Sequence, residues 1–489
     1  MPATILTPPS EFLAACPKFR ILVLGSPEST KQELFTKIFG VDLEKILVDE
    51  GFSSGHDIEE QLSLHGQNAR LAIHTCLNFG TGDKKAYARV RDFLVSRSTP
   101  STQQEDRIHC IWYCVASEED RAVSELEEHF FSIGRPSAAP GVPLILVFTK
   151  YDEFVSQVQL DWSREAQQQG LSKVAVSHIL RDLSAKKFEQ EIGRRWDNVL
   201  GGTAPRVCVS EGDEDDDARS LEELTEKTLA SLRERSVRYA FSTAQRNSAM
   251  ISTRFAADTA SSYFEVDTGH ARKLHGIDMR DILPNFFLKA IQLFNLRDPT
   301  ATLVADPSLL RRALNATFVD SQKALLDECL RRSSTESGSL LLNLTPHERA
   351  VLLTQALAGA VLFLHQLADA QWPHDVFLAP YTLTPSMLAR QLDTIQRGGG
   401  GRAVLEMVEA STVFSECTLP SAVADLIVKA VQRAADRGAG GHHPRHGESR
   451  AIVVEDDSEL QEISLSFVND HKAAGDVVLP CGLTILPLT

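Results

Sequence analysis

The chain has 489 residues, of which 43% are hydrophobic and 24% charged, with a formal net charge of −16. That length allows two or three domains with sizeable cores, and the acidic balance argues against nonspecific binding to nucleic acid or anionic lipid. The 8 cysteines are scattered without zinc spacing or a disulfide framework, and no basic stretch precedes an apolar core at the N-terminus, so a reducing, cytoplasmic setting without a secretory signal is expected.

Residues 1–17 are a Pro-containing lead-in, expected to be flexible. Residues 21–24 form an apolar, partly β-branched run that predicts a strand covered on both faces. Gly25 ends it. Ser29 or Thr30 can cap the helix that follows, in which Leu34, Phe35 and Ile38 repeat at helical spacing. Gly25, four residues, then Thr30-Lys31-Gln32 overlays the phosphate-binding pattern G-x-x-x-x-G-K-[ST]. Such a loop turns backbone N–H groups toward phosphate oxygens at a helix N-terminus. The candidate phosphate contacts are Gly25, Ser26, Ser29, Thr30, Lys31 and Gln32. Two positions depart from the pattern. Thr30 puts a β-branched side chain where a second glycine belongs, and Gln32 puts an amide where a Mg²⁺-binding hydroxyl belongs. The same stretch also reads as a plain strand–turn–helix with an incidental surface lysine.

Residues 61–65 and 70–75 read as two strands around the polar turn Gly66-Gln67-Asn68. A helix is predicted over 84–98, a strongly apolar strand over 108–115, an amphipathic helix over 118–131 and a central strand over 143–148. This order predicts a doubly wound α/β domain. Thr149-Lys150-Tyr151-Asp152 follows the last of these strands and matches [NT]-K-x-D. The chemistry suits guanine. A carboxylate at Asp152 accepts from the ring N–H and the exocyclic amine, which adenine does not offer together. The Lys150 stem lies along the purine, and Thr149 ties this loop to the phosphate loop.

By these motifs and their order, the chain resembles fungal GTPase-like proteins with an N-terminal G domain and a long helical C-terminal region. Those proteins are related to the septin and immune-associated nucleotide-binding GTPases. The resemblance covers roughly residues 18–235. It implies a P-loop GTPase-like sheet, GTP or GDP as ligand, and a D-x-x-G motif after the strand at 70–75. By register, Thr75 stands at the Asp and Asn78 at the Gly, and a shifted register with Gly80 still leaves no Asp. That Asp would hold the Mg²⁺ water shell and the Gly would sense the γ-phosphate. Its loss, with that of the P-loop hydroxyl, implies poor Mg²⁺ affinity and no metal ligands in place. No catalytic residue stands out, and His74 reads as structural. Residues 207–210 read as the last strand, where Ser210 fits the family's weak base-contacting loop and Glu211 does not. Residues 155–204 read as a polar helical insertion, 211–217 as a solvated acidic loop and 221–232 as a closing helix.

Residues 236–437 read as helical throughout. A long helix is predicted over 239–259, with others over 283–294, 309–330, 385–395 and 404–414. Residues 350–368 contain no Asp, Glu, Lys or Arg and are nearly long enough to span a bilayer. Gln355, His365 and Gln366 would be costly in lipid, so a buried bundle helix is expected and stable membrane insertion is not. Ala356, Gly359 and Ala360 would let a neighbour approach closely. Residues 398–401 read as a flexible joint, and 438–447, with His442, His443 and His446, as a Gly/His-rich linker. The tail 448–489 carries one or two short strand candidates. Together these readings lead to an expectation of a guanine-nucleotide switch or sensor with weak or absent hydrolysis, whose helical region meets protein partners. The alternative is a nucleotide-free pseudo-GTPase scaffold.

Overall fold

The computed structural model describes residues 9–25, 31–42, 58–59, 61–62, 64, 68–76, 79, 82–117, 123–168, 173–202, 204–210, 214–264, 279–296, 302–306, 308–318, 323, 346–372, 385–411 and 420–438. Most packing lies in one compact unit drawn from Met1–Phe154 and Glu189–Pro444; residues Val155–Phe188 belong to a second.

Five strands form one all-parallel sheet: β1 Phe19–Gly25, β2 Leu71–Thr75, β3 Cys110–Ala116, β4 Leu144–Thr149 and β5 Arg206–Cys208. Their order is β2-β1-β3-β4-β5. The protein is therefore an α/β protein with many helices. β2, β3 and β4 are buried along their whole length, which is why they read as unbroken apolar runs rather than alternating ones. The strand expected over 61–65 is absent from its described residues. Only the Leu62 N–H reaches the β2 edge, donating to the Ile73 carbonyl at 3.2 Å. Gly66 and Gln67 lie outside the described residues.

Successive side chains on β3 serve opposite layers. Trp112 packs against Phe35 and Phe39 of α2 (Lys31–Phe39) and donates its indole N–H to Thr228. Tyr113 faces Phe79, Phe131 and Trp196 on the other side. On that side lies α3 (Lys84–Ser98), whose Phe93 meets His74, and α4 (Glu125–His129), begun by a capping box between Ser124 and Glu127. Preceding β1, α1 (Pro9–Ala15) is ordered and stacks Phe12 on Tyr239 at 5.1 Å. That corrects the expectation of a flexible lead-in for residues 9–17.

α5 (Tyr151–Gln168) and α6 (Lys173–Phe188) follow β4, and Lys187 pairs with Asp161 at 3.2 Å within the second unit. After β5, α7 (Glu214–Ser231) begins inside the acidic run. Residues 214–217 are thus helical rather than looped.

The long helix expected over 239–259 is two helices, α8 (Arg235–Ala244) and α9 (Ala249–Ser261). Gln245 makes the break. Its Oε1 accepts the Asn247 and Ser248 N–H groups, and the Ser248 hydroxyl caps Ile251. Later helices include α10 (Met279–Phe294), α11 (Ser308–Thr317), α12 (Pro346–Gln371), α13 (Pro385–Arg397), α14 (Gly400–Glu409) and α15 (Pro420–Gly438). α12 holds the apolar stretch, and 89% of its most apolar window is buried inside the protein. It is the centre of the helical region.

The glycines expected to form a joint do the opposite. Gly400 and Gly401 lie buried in the first turn of α14, where a Cβ on Gly401 would stand 2.0 Å from the Thr317 carbonyl oxygen. A Cβ on Gly359 of α12 would stand 2.4 Å from the Thr317 hydroxyl. Thr317, at the end of α11, is thus held between two helices that only glycine lets approach, as expected for Gly359. The histidines 442, 443 and 446 and the tail 448–489 lie outside the described residues.

Candidate functional site

In a sheet of order 2-1-3-4-5 the chain leaves β1 first to one side and later to the other. Ligands of such sheets bind beyond the carboxyl ends of the strands, near this reversal. Gly25 stands there. It pairs in register with Cys114, at φ +135°, and an added Cβ would lie 2.1 Å from the Cys114 carbonyl oxygen. No other residue fits without moving β3. Ser26, Ser29 and Thr30 lie outside the described residues. Lys31 and Gln32 are the first described residues of α2.

The second motif ends β4. Since Ala116 pairs with Thr149, the ends of β1 and β4 flank that of β3 on one edge, about 10 Å apart at two strand spacings. Backbone bonds pin the β4 end on both sides. Ser117 N–H donates to the Thr149 carbonyl at 2.8 Å, Val209 N–H to Phe148 at 2.7 Å, and Tyr151 N–H to Val209 at 3.0 Å. Thr149 is fully buried, its hydroxyl 3.5 Å from the Val115 carbonyl, so it ties β4 to β3. Lys150 adopts φ +57°, a left-handed turn that redirects the chain into α5, and its ammonium lies 3.7 Å from Glu153. Asp152, half-buried, sits in the first turn of α5. Ser210 is buried just past β5. Tyr151 between them is desolvated; burial, with Cys208 behind it, pushes its phenol up to about 12.

The β2 end differs. Thr75, where the resemblance expects a carboxylate, is buried and gives its hydroxyl to the Val23 carbonyl at 3.0 Å. Asn78 and Gly80 lie outside the described residues. His74 is structural, as read: one ring nitrogen is 2.9 Å from the Ile58 carbonyl, the other 3.3 Å from Arg20. Among the described residues no group of His, Cys, Asp and Glu could hold a metal ion.

Ser117 was not legible as a site residue. It is buried at the β3 end between the two motif strands, and its hydroxyl has no hydrogen-bond partner among the described residues. A serine closing an apolar strand carries no sequence signal for this.

One further constellation has the right residues and the wrong chemistry. At the opposite edge of the sheet, Cys16 Sγ lies 3.7 Å from His109 Nε2. His109 Nδ1 accepts the Arg20 backbone N–H at 2.9 Å, which puts the ring proton on Nε2, facing the Gln104 carbonyl at 2.9 Å. Neither nitrogen is left to take a thiol proton. Burial pushes His109 down to about 4 and Cys16 up to about 12, so both stay neutral near pH 7.

The chain matches no protein-family model, and no curated protein is similar to it.

Proposed function

We propose that this protein is a P-loop GTPase-like protein that binds guanine nucleotide and hydrolyses it slowly or not at all. One observation carries the reading. Thr149-Lys150-Tyr151-Asp152 is held by backbone bonds at the carboxyl end of a central parallel strand, on the same edge where Gly25 precedes a helix whose first described residue is Lys31. A phosphate grip and a base reader need that shared edge. Asp152 would read the guanine N–H groups, Thr149 and Ser210 would support the loop, and Lys31 would meet the phosphates. Ser26, Ser29, Thr30 and Gln32 complete the proposed phosphate contacts. GTP or GDP is the proposed ligand, with Mg²⁺ contributing little. The helical region would carry the surface for protein partners, in a cytoplasmic setting.

The scaffold reading has one observation in its favour. The Thr75 hydroxyl serves the sheet, and among the described residues no metal-holding group stands at the end of β2. A thermal-shift series with GTP, GDP, ATP and buffer, with and without Mg²⁺, separates the two, since a ligand bound to the native state raises its stability. Stabilisation by GTP and GDP alone supports the first reading. Equal melting in all four conditions supports the scaffold.

A further inference from the structure

A cleft of about 460 Å³ opens where the end of α7 meets α8 and α9. Its volume is within the range of small-molecule sites. Leu229, Ala230 and Phe255 give it apolar surface, and four arginines surround it: Arg233, Arg235, Arg238 and Arg254. Against these four guanidinium groups stand two carboxylates, Glu226 and Asp258, in a chain whose net charge is −16.

The arginines are not equivalent. Arg254 is committed to Glu226 at 2.5 Å. Arg235 lies over the Phe12 ring at 5.1 Å and near Tyr239 at 6.0 Å, with Asp258 3.8 Å away. Both are exposed but engaged. Arg233 and Arg238 are exposed as well. The lining therefore carries two more guanidinium groups than carboxylates; Arg238 shares Asp258 with Arg235, and Arg233 forms no ion pair among the described residues. A guanidinium fork matches phosphate oxygens with two parallel hydrogen bonds.

We infer that this cleft binds a small phosphate-bearing molecule, with Arg233 and Arg238 as its phosphate contacts, Arg235 as a pre-oriented third and Phe255 and Leu229 against its organic body. The charge balance suits a dianion. The concave, three-helix wall suits a compact ligand better than an extended chain. The inference is independent of the nucleotide reading, because it concerns another face and other residues.

Isothermal titration of the full chain with pyrophosphate, at ionic strength matched by sodium chloride, is the test. Pyrophosphate binding that survives Lys31→Ala is expected, weakened about tenfold in Arg233→Ala and again in Arg238→Ala. Both side chains are exposed, so the ligand-free melting temperature should not move. Three results would overturn the inference: no binding above the salt control, binding unchanged in the double variant, or binding lost in Lys31→Ala and kept in the double variant. The last would place the polyphosphate at the β1–α2 turn. Tighter binding of a glutamate-rich peptide than of pyrophosphate, lost in the double variant, would also overturn it, in favour of an acidic protein segment.

Discussion

The ends of β4 and β2 lie on one edge of one sheet and have gone separate ways. At β4 three backbone hydrogen bonds hold Phe148 to Tyr151 against both neighbouring strands, and the polar residues of the motif follow without a break. At β2 the corresponding polar residue turns inward, with the Thr75 hydroxyl bonded to Val23. A carboxylate there would have to be desolvated or the sheet edge rebuilt. The half of the edge that would read a base is thus intact in form, and the half that would hold a metal is part of the core. Under the proposed function, base recognition and metal chemistry would sit on different strands.

The comparison breaks most severely at the glycine both ends depend on. Gly25→Ala forces a Cβ into the β3 backbone at a positive φ, and should cost about 4 kcal/mol of stability in chemical denaturation. A cost below about 1 kcal/mol would mean that β1 and β3 are not packed as described.

The opposite edge supplies a contrast that needs no ligand. His109 has a folded-state pKa of about 4 against 6.5 for an exposed histidine. The unfolded chain therefore takes the proton first, and stability present above pH 6.5 is lost as pH falls toward 4. The loss from this one group should be about 3 kcal/mol. His109→Gln should flatten that part of the pH–stability curve, whatever it costs at pH 7. A curve of unchanged slope would show that His109 is not the group responsible.

Substitutions at the two strand ends sharpen the difference directly. Asp152→Asn should weaken guanine-nucleotide binding about ten- to a hundred-fold, the worth of a hydrogen bond to a charged group. Melting without ligand should barely change, because Asp152 is half-buried on a helix start. Thr75→Val should do the reverse, costing about 1 kcal/mol of stability through the lost bond to Val23 while nucleotide affinity holds. Calorimetric titration of both variants reads the two effects side by side. If Thr75→Val were to abolish binding, the β2 end would belong to the site.

Much of the sheet was legible because its strands are buried on both faces. The runs read at 21–24, 108–115 and 143–148 are strongly apolar, and turn or helix signals bound them. The motif at 149–152 was legible because it abuts such a run. The break between α8 and α9 was not, since Ala- and Ser-rich sequence looks helical through it; the Gln245 side chain ends the helix by taking two backbone N–H groups. Gly400 and Gly401 looked like a joint because their need is set by Thr317, more than eighty residues away in the chain. Residues 61–65 read as a strand, but among the described residues only Leu62 bonds to β2. The arginine cleft was illegible for a related reason. Arg233, Arg235, Arg238 and Arg254 converge only because the chain turns at 245–248 and folds α9 beside α7.

The central claim is that Lys31 and Asp152 serve one ligand across the sheet edge. Thermal-shift titration with GTP and with ATP, on the natural chain and on Lys31→Ala and Asp152→Asn, tests it most directly. The account expects stabilisation by GTP but not ATP, reduced in both variants. Equal stabilisation by the two nucleotides, or a GTP response indifferent to both substitutions, would contradict it.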